Sequence, residues 1–147
     1  MGGRTITIVA VALLVLIFGG SWVVDDTRAA TGRVAASTSP RVLPADGQST
    51  GTLIVRVTDA DGAPRVGDTI EILNLTSQGT FDRTRALTDH RGQASFLYTT
   101  SLSNVYQPAG PVPVLITDTS LGHLIELDKM ANARIDTVDP SKYKKGS

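Results

Sequence analysis

Apolar side chains recur at every second position through the middle of the chain. In residues 52–58, TLIVRVT, Leu53, Val55 and Val57 fall on one face while Thr52, Arg56 and Thr58 fall on the other. The alternation returns at residues 69–75 with Ile70 and Ile72 inward, and at residues 94–98 with Ala94, Phe96 and Tyr98 inward. It returns again at residues 112–117 with Val112, Val114 and Ile116 inward. A period of two is the side-chain repeat of a half-buried strand, so each run predicts one. A first strand is expected near residues 34–37, and HLIELDKM, residues 123–130, is expected to add a last one after a Ser120-Leu121-Gly122 turn. MANARIDTV, residues 130–138, reads equally as a helical turn or as a final extended piece.

Turn residues punctuate these runs at short intervals. They are Ala45-Asp46-Gly47, Asp61-Gly62-Ala63-Pro64, Ser77-Gln78-Gly79, Arg91-Gly92 and Pro108-Ala109-Gly110-Pro111. Short strands so spaced, without a helical segment, predict an all-β fold: one antiparallel sandwich of two sheets. No internal repeat is evident, so the fold is a single module.

The first thirty residues follow another pattern. From Thr5 to Val24 the sequence TITIVAVALLVLIFGGSWVV runs without a charge. At 1.5 Å per residue this is about 30 Å, the thickness of a bilayer's hydrocarbon core. Arg4 precedes the run and Asp25 and Asp26 follow it, which places the N-terminus in the cytoplasm and the rest outside. The expected plan is a cytoplasmic 1–4, a transmembrane helix 5–24 acting as signal anchor, a linker 25–32, a sandwich 33–138 and a polar tail 139–147. A cleavable signal peptide ending near Gly19-Gly20-Ser21 or Ala29-Ala30 is the rival reading of the same segment.

Composition narrows the chemistry. Fourteen Lys and Arg balance fourteen Asp and Glu, so no net field steers the protein to nucleic acid. The absence of cysteine excludes disulfides, thiolate catalysis, zinc–cysteine sites and a lipidated cysteine. With His90 and His123 the only histidines, a metal or acid–base site would have to lean on carboxylates.

Two corners carry a family resemblance. Pro44-Ala45-Asp46-Gly47, the alternating strand, Val57-Thr58-Asp59-Ala60-Asp61-Gly62-Ala63-Pro64 and then Gly67 resemble the bacterial immunoglobulin-like domains of the intimin and invasin type. Thr88-Asp89-His90-Arg91-Gly92-Gln93-Ala94 resembles the second corner of that family. The resemblance covers residues 33–128. It implies a Greek-key β-sandwich used in bacterial surface and adhesion proteins as a spacer or binding module, with no catalytic residues, no cofactor and protein partners. This chain departs from the family in carrying one such domain, no visible barrel, and a longer segment after Asp118.

The candidate sites are few. Asp59, Asp61 and Asp89 are oxygen donors of the type Ca²⁺ takes, yet the third ligand position and terminal Glu of a calcium loop are missing. Turn chemistry, in which a short carboxylate bonds nearby N–H groups, accounts for them more simply. His90, Arg91, Arg83 and Arg85 could meet an anion, and His123 beside Glu126 or Asp128 could form an orienting pair, although no nucleophile accompanies it. Asn74-Leu75-Thr76 fits a glycosylation sequon by chance. Residues 101–111 form the longest unpatterned segment and carry Leu102, Val105 and Tyr106. Exposed apolar groups on such a loop mark a partner surface, or else cover an open end of the sandwich.

The sequence therefore points to a non-catalytic, membrane-anchored module at the cell surface, structural or protein-binding, with other membrane or surface proteins as partners. A secreted adhesion domain and an accessory subunit of a membrane complex are the rivals. Glycan binding has no support in the residues.

Overall fold

A computed structural model describes residues 32–120 and 129–143. The expected anchor at residues 5–24, the linker up to residue 31 and the His123, Glu126 and Asp128 constellation lie outside the described residues.

Among the described residues, nine strands form two packed sheets: β1 (Arg33–Ser39), β2 (Val42–Pro44), β3 (Thr50–Thr58), β4 (Thr69–Asn74), β5 (Thr80–Phe81), β6 (Arg85–Leu87), β7 (Gln93–Thr99), β8 (Pro111–Asp118) and β9 (Lys129–Val138). One sheet has the order β1-β3-β7-β5, the other β2-β9-β8-β4-β6. A single 3₁₀ turn at Pro140–Lys142 follows β9.

The alternation seen in the sequence is the burial pattern of the sandwich. Leu53, Val55 and Val57 of β3 face Ile70 and Ile72 of β4 and Val112, Val114 and Ile116 of β8, with Phe96 and Tyr98 of β7 and Ile135 of β9 closing the layer. None of these side chains is more than 4% exposed. Each contributes about 1.5–3 kcal/mol by leaving water, which is the main force holding the sheets face to face.

Three features differ from the expectation. Residues 129–138 form a full strand paired to β8 from Pro111↔Asp136 to Asp118↔Lys129, so the extended reading of MANARIDTV is the right one. The last strand thus runs beyond the expected 123–130. Second, β2 pairs with β9 in parallel, Val42↔Asp136 to Pro44↔Val138, so the sandwich is not wholly antiparallel. The chain leaves β1, crosses to the other sheet through Pro40 and Arg41, and lays β2 beside the final strand. Third, β2, β5 and β6 have no counterpart among the expected strands, because two or three residues are too few to display a period.

Candidate partner-binding surface

The two ends of the sandwich differ in chemistry. At the end where β1 begins, Arg33 pairs with Thr58, and the Asp59 and Asp89 corners lie beside it. Asp59 Oδ1 accepts the N–H groups of Asp61 at 3.0 Å and Ala63 at 2.8 Å. Asp89 Oδ1 accepts those of Arg91 at 2.8 Å and Gln93 at 2.9 Å. The two corners use the same device: a carboxylate bonds the N–H groups two and four residues on, and a glycine follows at positive φ, 85° at Gly62 and 69° at Gly92. The N–H of Gln93, then that of Arg91, holds the Asp89 carboxyl below its ordinary value. Asp61 is exposed and its side chain takes no part in the turn bonds. Among the described residues, no three histidine, aspartate or glutamate side chains come together to hold a metal ion.

The same end contains a buried polar network. Thr88 Oγ1 donates to the Arg65 carbonyl at 2.7 Å and accepts the Asp68 N–H at 2.9 Å, while Arg65 Nε pairs with Asp68 Oδ2 at 2.8 Å. Asp118, fully buried at the end of β8, accepts the N–H and the hydroxyl of Ser120. Neither Asp68 nor Asp118 was singled out from the sequence, although each continues an inward period of two, Asp68 two residues before Ile70 and Asp118 two residues after Ile116. A further local signal was Asp118 two residues before Ser120, the spacing of a side chain that bonds its own turn.

The basic candidates do not converge. Arg83 pairs with Asp82 at 2.7 Å, and Arg85 pairs with Glu71 at 2.6 Å on the outer face of the five-stranded sheet, whereas His90 and Arg91 sit in the Asp89 corner. Asn74 of the sequon uses its amide within its own corner, donating to the Gln78 and Gly79 carbonyls and accepting the Thr76 N–H.

The opposite end carries the segment 101–111. There Asn104 and Gln107 exchange main-chain hydrogen bonds at 3.0 and 3.2 Å, and Asn104 Oδ1 accepts the N–H groups of Tyr106 and Gln107. Val105 and Tyr106 stand at the tip of this turn, 88% and 95% exposed, with Leu102 64% exposed below them. The chain folds over the end of the sandwich, but these three side chains do not bury themselves in it.

The turn is held from several sides. Gln107 Nε2 donates to Ser77 Oγ, Gln78 Nε2 to the Pro108 carbonyl, and the Ser103 N–H to the Ala45 carbonyl. Thr137 Oγ1 bonds both main-chain groups of Gly110. An open groove of about 580 Å³ runs beside the tip, lined by Val105, Pro108, Ala109, Val138, Asp139 and Lys142 among others. The tip is thus an apolar pair on a braced turn, able to enter an apolar pocket at little ordering cost.

Asp46 is the hub of that bracing. Its Oδ1 accepts the Gln48 and Ser49 N–H groups and the Thr100 hydroxyl, its Oδ2 accepts the Ser49 hydroxyl, and its main chain bridges to Leu102. These donors, led by the Gln48 N–H, lower its carboxyl from 3.8 to about 2. A depressed folded-state value means that the stabilisation is complete above about pH 4 and is lost as pH falls through 3.8 toward 2. Asp46→Asn is expected to flatten this part of the acid limb. Melting temperature measured from pH 5 to pH 2 on both proteins checks it, and parallel curves refute it.

No family model matches the chain, and no characterised protein matches it by sequence. Solved structures do match. The D00–D0 domain of intimin aligns with a TM-score of 0.54 at 16% identity, over 74% of this chain and 48% of that one. The Yersinia pseudotuberculosis adhesin InvE aligns with a TM-score of 0.53 at 17% identity, over 72% and 26%.

The fold is that of an intimin-type immunoglobulin-like domain.

A C-terminal 282-residue fragment of intimin, solved in complex with the intimin-binding domain of the translocated intimin receptor, aligns with a TM-score of 0.50 at 17% identity, over 71% and 33%. The chain spans half or less of the length of each of these structures. In this chain the Val57–Pro64 and Thr88–Ala94 motifs form two interlocked turns at the end where β1 begins, whereas Pro44–Gly47 lies at the opposite end beside Leu102. Val57 donates its N–H to the Gly92 carbonyl at 2.8 Å, which joins one motif to the other.

Proposed function

We propose that the chain is a membrane-anchored, extracytoplasmic and non-catalytic module that presents the Val105–Tyr106 tip to a protein partner. The observation that carries this reading is the placement of the tip relative to the chain entry. Strand β1 enters the sandwich at Arg33, and the 101–111 segment lies at the Ser39 end, about 20 Å away at 3.4 Å per strand residue. A tether made by the uncharged residues 5–24 and the short polar linker leaves that end farthest from the bilayer. The intimin fragment seen with a receptor domain is a further support, as a use of this fold in protein recognition.

The chain contains no cysteine, so single-cysteine variants report topology directly. Ser141→Cys is expected to react with a membrane-impermeant maleimide in intact cells, and Gly2→Cys only after permeabilisation. A soluble product beginning after residue 21 or 30 sinks the anchor and favours release by signal peptidase. A photo-crosslinker at position 106 is expected to capture a protein, and the Val105→Ala/Tyr106→Ala pair to weaken its binding by about 2 kcal/mol, roughly thirtyfold. Leu73→Ala, on a different exposed face, is expected to leave binding unchanged. Equal losses from both variants would remove the tip from the interface.

A further inference from the structure

The edges of the two sheets are not equally protected. Strand β5 is two residues long, and beyond it Asp82 takes over the edge: its N–H donates to the Leu97 carbonyl and its Oδ1 accepts the Leu97 N–H. Strands β6 and β2, the edges of the other sheet, have three residues each. Strand β1 has seven, and from Val34 to Ser39 it carries no charge and no proline. Short length, charge and proline are the usual guards of an edge, and beyond its first residue, Arg33, β1 lacks all three.

The free main-chain groups of β1 can be assigned. Val57 donates its N–H to the Gly92 carbonyl and accepts the Arg65 N–H, so both of its main-chain groups point away from β1. By the two-residue period of an antiparallel ladder, Leu53 and Val55 do the same. Their partners on β1 are Thr38, Ala36 and Val34, which therefore direct their N–H and C=O groups out of the sheet. Among the described residues no strand pairs with β1 on that side, although β9 of the other sheet passes close to it.

We propose that β1 is a self-association edge, on which a second copy of this chain adds its own β1 antiparallel, centred on Ala36. In that register Val34 faces Thr38 of the second copy and Ala36 faces Ala36, each pair exchanging both main-chain hydrogen bonds. The occupant is a second copy because the strand is complementary to itself. Its length matches, its only charge, Arg33, falls opposite an uncharged Ser39, and the small Ala35 and Ser37 leave room for two twisted sheets to join. The inference does not depend on the tip or on the anchor.

The test uses the full-length chain in detergent under mild oxidation. Paired Cα atoms about 5.5 Å apart suit a disulfide, so Ala36→Cys is expected to give roughly tenfold more linked dimer than Leu73→Cys on the other sheet. Arg33→Cys mixed with Ser39→Cys is expected to link as a heterodimer. Ala36→Pro deletes an N–H that only the dimer uses, and placed in both partners is expected to abolish the linkage of Arg33→Cys with Ser39→Cys while far-UV circular dichroism is retained. The cross-linking arm stands whether or not the proline variant folds. A monomeric Ala36→Cys, or linkage no greater than that of Leu73→Cys, overturns the proposal.

Discussion

Tyr98→Ala is expected to lower the unfolding free energy by about 3–5 kcal/mol, the cost of removing a large ring from a close-packed interior. At about 4–8 °C per kcal/mol for a domain near this size, the melting temperature should fall by at least 12 °C. Tyr98 is 1% exposed, its ring stands 5.2 Å from that of Phe81, and its hydroxyl donates to the Gln78 carbonyl at 3.0 Å. The period of two in the sequence already placed the Tyr98 ring inward. Tyr98→Phe separates ring from hydroxyl: it keeps the ring and loses the hydrogen bond, at a cost of about 1 kcal/mol. Burial also pushes the phenol above its ordinary value of 10.0, so the folded state holds the proton where the unfolded state has lost it. That contribution is complete below pH 10 and is lost as pH rises above it, so Tyr98→Phe should soften the alkaline limb. Thermal melts from pH 8 to 11 check this. If Tyr98→Phe costs as much as Tyr98→Ala, the hydroxyl rather than the ring holds the site.

Strands β3, β4, β7 and β8 were legible because one face of each meets the core and the other meets solvent or polar neighbours, and that contrast writes itself as a period of two. Strand β9 was ambiguous for a physical reason. Its inward positions near the start are Ala131 and Ala133, small side chains with weak hydrophobic contrast and good helix propensity. Pairing with β8 along its whole length decides the conformation, and that is a tertiary effect. The parallel contact of β2 with β9 joins opposite ends of the chain, so no local pattern signals it. At the candidate surface, Leu102, Val105 and Tyr106 could be singled out as apolar groups in an unpatterned loop. Their bracing could not, because Asp46, Ser77, Gln78 and Thr137 reach the loop from distant segments. Asp46 read only as a turn residue, and its second role, bonding Thr100 beside the loop, rests on the antiparallel course of β3 and β7.

Gly92→Ala and Gly62→Ala form a matched pair with unequal outcomes, although the two residues occupy equivalent positions in the two corners. Both have positive φ, 69° and 85°, so an alanine at either carries the strain of the left-handed region, about 1 kcal/mol or more. Their surroundings then diverge. A Cβ on Gly62 meets nothing within 4 Å, because that corner faces solvent. A Cβ on Gly92 comes within 2.5 Å of the Val57 carbonyl oxygen and 3.0 Å of the Arg65 nitrogen. These are main-chain atoms of the first corner, bonded to each other at 3.1 Å and unable to rotate away. Relief requires the corners to separate, which breaks the Val57-to-Gly92 hydrogen bond that joins them. Gly92→Ala is therefore expected to cost about 3 kcal/mol, and Gly62→Ala about 1 kcal/mol. Urea titration of both variants checks the difference through the midpoint at constant m-value. Equal costs would mean that only the backbone angle matters and that the two corners are not mechanically joined. The larger cost at Gly92 would make the contact between the two motifs, rather than either turn alone, the feature that holds this end of the sandwich closed.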